Sequence, residues 1–108
     1  MAWIYLIIAG IFEWGWPIGL KLAWKDEQFA LIPAIVAAVT MAFSGYFLFL
    51  AQKIIPIGTA YAVWTGIGAV GTFVIGIFYF GDNANFARIF SAFLIIAGVV
   101  GLKLSSAS

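Results

Sequence analysis

The chain has 108 residues, of which 66% are hydrophobic and 19% aromatic, and its five Lys or Arg and four Asp or Glu leave a formal net charge of +1. A chain this short folding alone in water buries only about 60–65% of its surface, too little to hide so many Trp, Phe, Ile and Leu, so the composition places it in lipid. The absence of Cys and His excludes disulfides, zinc and haem ligation and Cys or His catalysis, and the small net charge without a basic cluster argues against nucleic acid as a partner.

The charges divide the chain into four apolar runs of about 19 to 27 residues, matching the roughly 20 a helix needs to cross a bilayer core. Helices are required, because a backbone in hydrocarbon must satisfy its polar groups within its own segment. The reading is an all-α integral membrane protein with a single four-helix transmembrane domain over 1–108. Its helices cover about 2–20, 29–50, 56–80 and 86–104, the loops are short, and no water-soluble domain is left over.

The first run, Ala2–Leu20, carries Glu13 near its middle and lacks a basic leader, which argues against a signal peptide. Glu13 is the only acid inside any of the four runs, while Lys21, Lys25, Lys53, Arg88 and Lys103 lie near their ends. A charge at that depth costs roughly 2.5–3.5 kcal/mol on insertion scales, so it is read as functional by default. An unpaired carboxyl group in low dielectric holds a proton more readily than one in water and, once ionised, attracts any cation that reaches it. Glu13 is therefore the expected proton and cation site; the bland alternative is a protonated Glu that merely bonds a neighbouring helix. Gly10, Glu13, Trp16 and Pro17 fall on one helix face with Leu6 and Leu20. Gly10 leaves space one turn before the carboxyl group and Trp16 presents an indole one turn after it. Pro17 withholds the N–H that the Glu13 carbonyl would accept, so a bend is expected there. Gly15 and Gly19 have the spacing for close helix contact. Trp24, beside the polar stretch Lys25-Asp26-Glu27-Gln28, reads as an interfacial anchor, and Trp14 is either an anchor or part of the site.

In the second run Thr40 and Ser44 lie four apart, and a hydroxyl at the depth of Ser44 either orients the buried carboxyl group or bonds back to its own helix. The third run brings Tyr61 and Trp64 to one face, roughly with Gly68 and Gly71. Both rings offer faces and polar groups to a cation, or they form an interfacial belt. Gly66-Ile67-Gly68 is a candidate bending point. In the fourth run Ala97, Gly98 and Gly101 have small-residue spacing suited to helix association.

With four spans, Lys53 and Lys103 fall on one side of the membrane and Lys21, Lys25 and Arg88 on the other. The positive-inside rule needs an asymmetry that is almost absent here, so insertion both ways up is the direct expectation, with a single weakly biased orientation as the alternative. Four helices alone enclose little space, and oppositely inserted copies would close as an antiparallel pair with facing, coupled Glu13 carboxyl groups. Protons and a cation would then compete for one site, as in an exchanger. No G-x-x-x-x-G-K-[ST] motif is present, so the driving energy would come from an ion gradient and no cofactor is expected.

The residues Ala9-Gly10-Ile11-Phe12-Glu13 with Trp16 and Gly19-Leu20-Lys21, and the third-run signature Pro56-Ile57-Gly58-Thr59-Ala60-Tyr61-Ala62-Val63-Trp64-Thr65-Gly66-Ile67-Gly68, carry a specific likeness to a known family. The chain resembles the small multidrug resistance family of bacterial four-helix transporters, over essentially its whole length to about Lys103. Trp16 and Ile57-Gly58-Thr59 resemble the guanidinium-exporter subtype more than the quaternary-ammonium subtype. The resemblance implies a multi-pass protein of the bacterial inner membrane, an antiparallel homodimer of dual topology, and exchange of protons for guanidinium at paired Glu13 side chains. By position it implies that Trp16 and Ser44 bond or pack against Glu13, that Tyr61 joins that network or gates access, and that Trp64 lines the site. It further implies that Gly66 and Gly68 form a hinge.

Two departures stand out. Within Trp14-Gly15-Trp16-Pro17 an extra tryptophan, a glycine and a proline stand where small aliphatic residues are expected beside the carboxyl group, which bears on substrate size and brings substituted guanidines such as guanylurea into view. Gly81-Asp82-Asn83-Ala84-Asn85 lacks the family's Glu-Pro wording, a feature that would also suit one subunit of a heteromeric pair. The competing readings are a broad exporter of quaternary ammonium cations and a non-transporting membrane subunit. No enzymatic reading arises, since Glu13 has neither a nucleophile nor a metal partner in its span.

Overall fold

Hydrocarbon leaves an apolar chain no alternative to helices, and their ends fall where glycine, proline and charge gather. A computed structural model describes residues 1–105; positions 106–108, included in the single-domain expectation, lie outside the described residues. Among the described residues four stretches are long and apolar enough to span a membrane: Ala2–Ala23, Leu31–Gln52, Ile57–Phe80 and Phe86–Ser105. The first is two helices, α1 (Ala2–Phe12) and α2 (Gly15–Ala23); the others are α3 (Leu31–Gln52), α4 (Ile57–Phe80) and α5 (Phe86–Ser105).

The first span continues to Ala23 instead of stopping at Leu20, which takes Lys21 into the last turn of α2, where a cation complements the helix dipole. The second begins at Leu31, because residues 24–29 are occupied otherwise. Trp24–Lys25 (β1) pairs antiparallel with Gln28–Phe29 (β2), Trp24 opposite Phe29 and Lys25 opposite Gln28. Asp26 and Glu27 turn the chain with φ of 55° and 61°, the left-handed pair that a two-residue hairpin requires. The Ala30 N–H closes the loop on the Ala23 carbonyl at 2.7 Å. The expected loop at Gly81 is present: Gly81 has φ 73°, and the Asp82 N–H reaches back to the Gly76 carbonyl at 2.9 Å. Asn85 starts α5, its side-chain oxygen accepting the Arg88 N–H at 2.9 Å.

α1 packs on α3 and α4, α2 on α3, and α5 mainly on α4. In lipid, helices gain little by hiding apolar surface from one another, so small residues and close fit decide their contacts. The Gly15/Gly19 spacing works this way. A Cβ at Gly15 would lie 2.5 Å from the Thr40 side chain, and one at Gly19 would lie 2.7 Å from the Pro33 carbonyl. Phe12 stacks between Phe43 and Phe47 of α3, with ring centroids 5.4 and 5.9 Å away. The tightest core gathers towards one end, where Ala2, Leu6, Ala51, Ile55, Ala60 and Val63 pack together.

The chain measures 48 × 34 × 17 Å along its principal axes. No residue of α5 is buried. Four of the cations settle over aromatic rings near the span ends: Lys21 over Phe80 (5.5 Å), Lys53 over Phe49 (5.1 Å), Arg88 over Phe73 (5.3 Å) and Lys103 over Trp3 (4.9 Å). Such contacts hold a charge at the edge of an apolar layer while its stem remains inside.

Candidate functional site

The first span is divided at Glu13-Trp14, one turn before Pro17, with both residues keeping right-handed helical φ and ψ. Pro17 has no N–H for the Glu13 carbonyl, and the Trp14 N–H bonds the Ile11 carbonyl at 3.1 Å, three residues back. The division places Pro17 in the first turn of α2, where proline's fixed φ is suited to a helix start.

At this junction the Glu13 carboxyl group meets donors from two elements. The Trp16 indole donates to Oε1 at 2.7 Å, across the one-turn spacing on which the sequence places both residues. The Ser44 hydroxyl, buried in α3, lies 2.8 Å from the Ala9 carbonyl and 3.4 Å from Glu13 Oε1. Ser44 in turn accepts the Trp64 indole N–H at 2.8 Å, so α1, α2, α3 and α4 share one polar network. The two hydroxyls of α3 divide as the sequence left open: Thr40 bonds back to the Val36 and Ala37 carbonyls at 2.8 and 3.1 Å, while Ser44 reaches across. The one Ser44 proton lies better placed for the Ala9 carbonyl, so Trp16 is the closer donor to Oε1, and among the described residues no hydrogen bond is formed to Oε2.

Glu13, Trp16, Pro17, Thr65, Gly68, Ala69 and Thr72 line an open cleft of about 250 Å³. Gly68 adjoins the Glu13 side chain so closely that a Cβ there would lie 2.5 Å from Cγ, and a Cβ at Gly66 would lie 2.5 Å from Val99. α4 is helical through Gly66-Ile67-Gly68, and the two glycines admit Val99 and Glu13 as close neighbours. Tyr61 is 56% exposed and tilts against Trp64 with centroids 5.3 Å apart; among the described residues its hydroxyl makes no hydrogen bond. Ala97, Gly98 and Gly101 lie exposed on α5, with open space where a Cβ at either glycine would stand. Trp24, on the hairpin, is 63% exposed.

Trp14 is the residue that sequence reasoning undervalued. Its indole N–H donates to the Ile67 carbonyl at 2.9 Å, and its ring lies against Gly71. Only the oddness of a second Trp beside the membrane acid signalled it.

The model of the Small Multidrug Resistance protein family matches residues 1–95, a stretch that includes every member of the Glu13 network. The chain belongs to the Small Multidrug Resistance family. As a member of it with four spanning helices, it is a multi-pass protein of the bacterial inner membrane. Among curated members of the family, the chain is 54% identical to a guanidinium exporter of Yersinia pseudotuberculosis, over 98% of this chain and 100% of the relative. It is 47% identical to one from Salmonella typhimurium and 48% identical to one from Citrobacter freundii, in each case over 98% of this chain and 99% of the relative.

Proposed function

We propose that this chain exports guanidinium or small substituted guanidinium ions in exchange for protons, both ligands using the Glu13 carboxyl group in turn, with no covalent step and no cofactor. The carrying observation is the way that group is held. Trp16 donates to Oε1 at 2.7 Å with the Ser44 hydroxyl 3.4 Å from the same oxygen. Oε2 has no partner among the described residues, and Glu13 lines a cleft of about 250 Å³ that an incoming cation can enter. Guanidinium is planar and rich in N–H donors, so it meets a carboxylate through paired hydrogen bonds and stacks on aromatic rings. A quaternary ammonium has no N–H to offer and would leave those acceptors unused. Relatives named guanidinium exporters at 47–54% identity support the same substrate class.

In this reading Trp16 and Ser44 orient Glu13, Trp64 fixes Ser44, and Tyr61 stands over the approach to Trp64. Gly66 and Gly68 supply the flexibility of α4. Two copies inserted opposite ways form the working unit, with Ala97, Gly98 and Gly101 packing between copies. The near balance of Lys and Arg on the two sides favours such dual insertion.

The test is guanidinium-evoked proton flux in proteoliposomes, with the parent protein beside Glu13→Gln. The expected result is flux in the parent and none in the variant. No flux from a folded parent would overturn the reading and shift attention to quaternary ammonium cations or a missing partner subunit.

A further inference from the structure

Trp14 sits at the junction of α1 and α2, as the residue that precedes α2, with right-handed helical φ and ψ. Its neighbour Gly15 lies against Thr40 of α3, while its own side chain turns to α4. An indole N–H half-buried between helices gains from an acceptor, and a helix carbonyl has a second lone pair to give. Ile67 supplies it at 2.9 Å. Gly71 makes the approach possible, because any Cβ there would overlap the indole ring. Ile67 is gripped a second time from before the junction, since its side chain fills the space where a Cβ at Gly10 would stand, 2.5 Å away. One residue at the centre of α4 is therefore clasped by Gly10 and Trp14, and Glu13 lies between the two attachments.

We propose that Trp14 is a positioning residue that ties the junction of α1 and α2 to the centre of α4. Glu13 and the segment Gly66–Gly71 then move as one body when the loaded site changes sides. The proposal rests on exchange through Glu13 but assigns Trp14 no contact with the cation. Trp16 and Ser44, which hold the carboxyl group, do not depend on the Trp14 bond. Its loss therefore leaves cation affinity alone and slows the step that carries the site across.

The experiment compares the parent, Trp14→Phe, Gly71→Ala and the double variant in proteoliposomes, reading kcat and KM for guanidinium exchange and equilibrium guanidinium binding. Trp14→Phe keeps an aromatic ring and removes the donor; Gly71→Ala pushes the indole off the carbonyl. Each single variant is expected to lower kcat about five- to tenfold, the scale of one hydrogen bond, with KM and Kd within about twofold of the parent. The double variant is expected to fall no further than Trp14→Phe, because both changes remove one bond. Parent-like kcat in Trp14→Phe, a Kd that weakens in step with kcat, or multiplying losses in the double variant would each overturn the proposal. Solvent exchange of the Trp14 indole hydrogen in the parent, followed by NMR, supplies a readout that needs no transport. Slow exchange in the parent that quickens in Gly71→Ala is expected, and fast exchange in the parent overturns the bond. A parent that transports nothing while this protection persists would sink the guanidinium reading and leave the tie standing.

Discussion

Gly68 lets α4 lie close against Glu13: a Cβ added there would lie 2.5 Å from the Glu13 Cγ and 3.2 Å from its Cβ. These atoms are near the root of the side chain, so the carboxyl group cannot simply swing away while keeping Trp16 and Ser44 as donors. Gly68→Ala is expected to weaken guanidinium binding about tenfold, in line with the roughly 1–3 kcal/mol of overpacking a tight site. Insertion and helix content should match the parent. Titration calorimetry in detergent, with circular dichroism alongside, checks this; parent-like affinity would mean that the carboxyl group is held elsewhere when loaded.

Pro17→Ala restores the N–H that the Glu13 carbonyl lacks. The division at Glu13-Trp14 is expected to close into one continuous helix, with a gain of up to about 3 kcal/mol in stability and a higher melting temperature. Closing it also turns Glu13 relative to Trp16 and Ser44, so guanidinium affinity should fall several-fold while stability rises. Thermal melts and slowed exchange of the new amide hydrogen at position 17 report the first effect, and binding titration the second. A stabilised variant with unchanged affinity would leave the division without a part in the site.

Within one copy, Gly98 of α5 faces open space. Gly98→Leu should therefore leave the protomer's fold intact and obstruct only a second copy. The expected outcome is at least about a tenfold weaker self-association, corresponding to about 1.4 kcal/mol, with guanidinium flux reduced to match. Sedimentation equilibrium in density-matched detergent measures it. Association equal to the parent's would place the interface on another face.

The sequence by itself determined the solvent, the number of spans and the identity of the membrane acid. These follow from composition and run length, since lipid forces helices on any apolar chain of about twenty residues. The Trp16 partnership was equally legible, because Trp16 lies within one helical turn of Glu13. The hairpin at Trp24–Phe29 was not: Asp26 suits a left-handed position, but Glu27 stands in the other, where glycine is the usual signal of such a turn. Only tertiary structure decided that Ser44 reaches Glu13 while Thr40 bonds its own helix, because either hydroxyl can do either. It also decided that Gly66 and Gly68 admit Val99 and Glu13, and that Trp14 finds its acceptor on Ile67, 53 residues away. Those outcomes depend on which helix lies beside which, and the periodicity of a single helix marks a face without naming the helix it will meet.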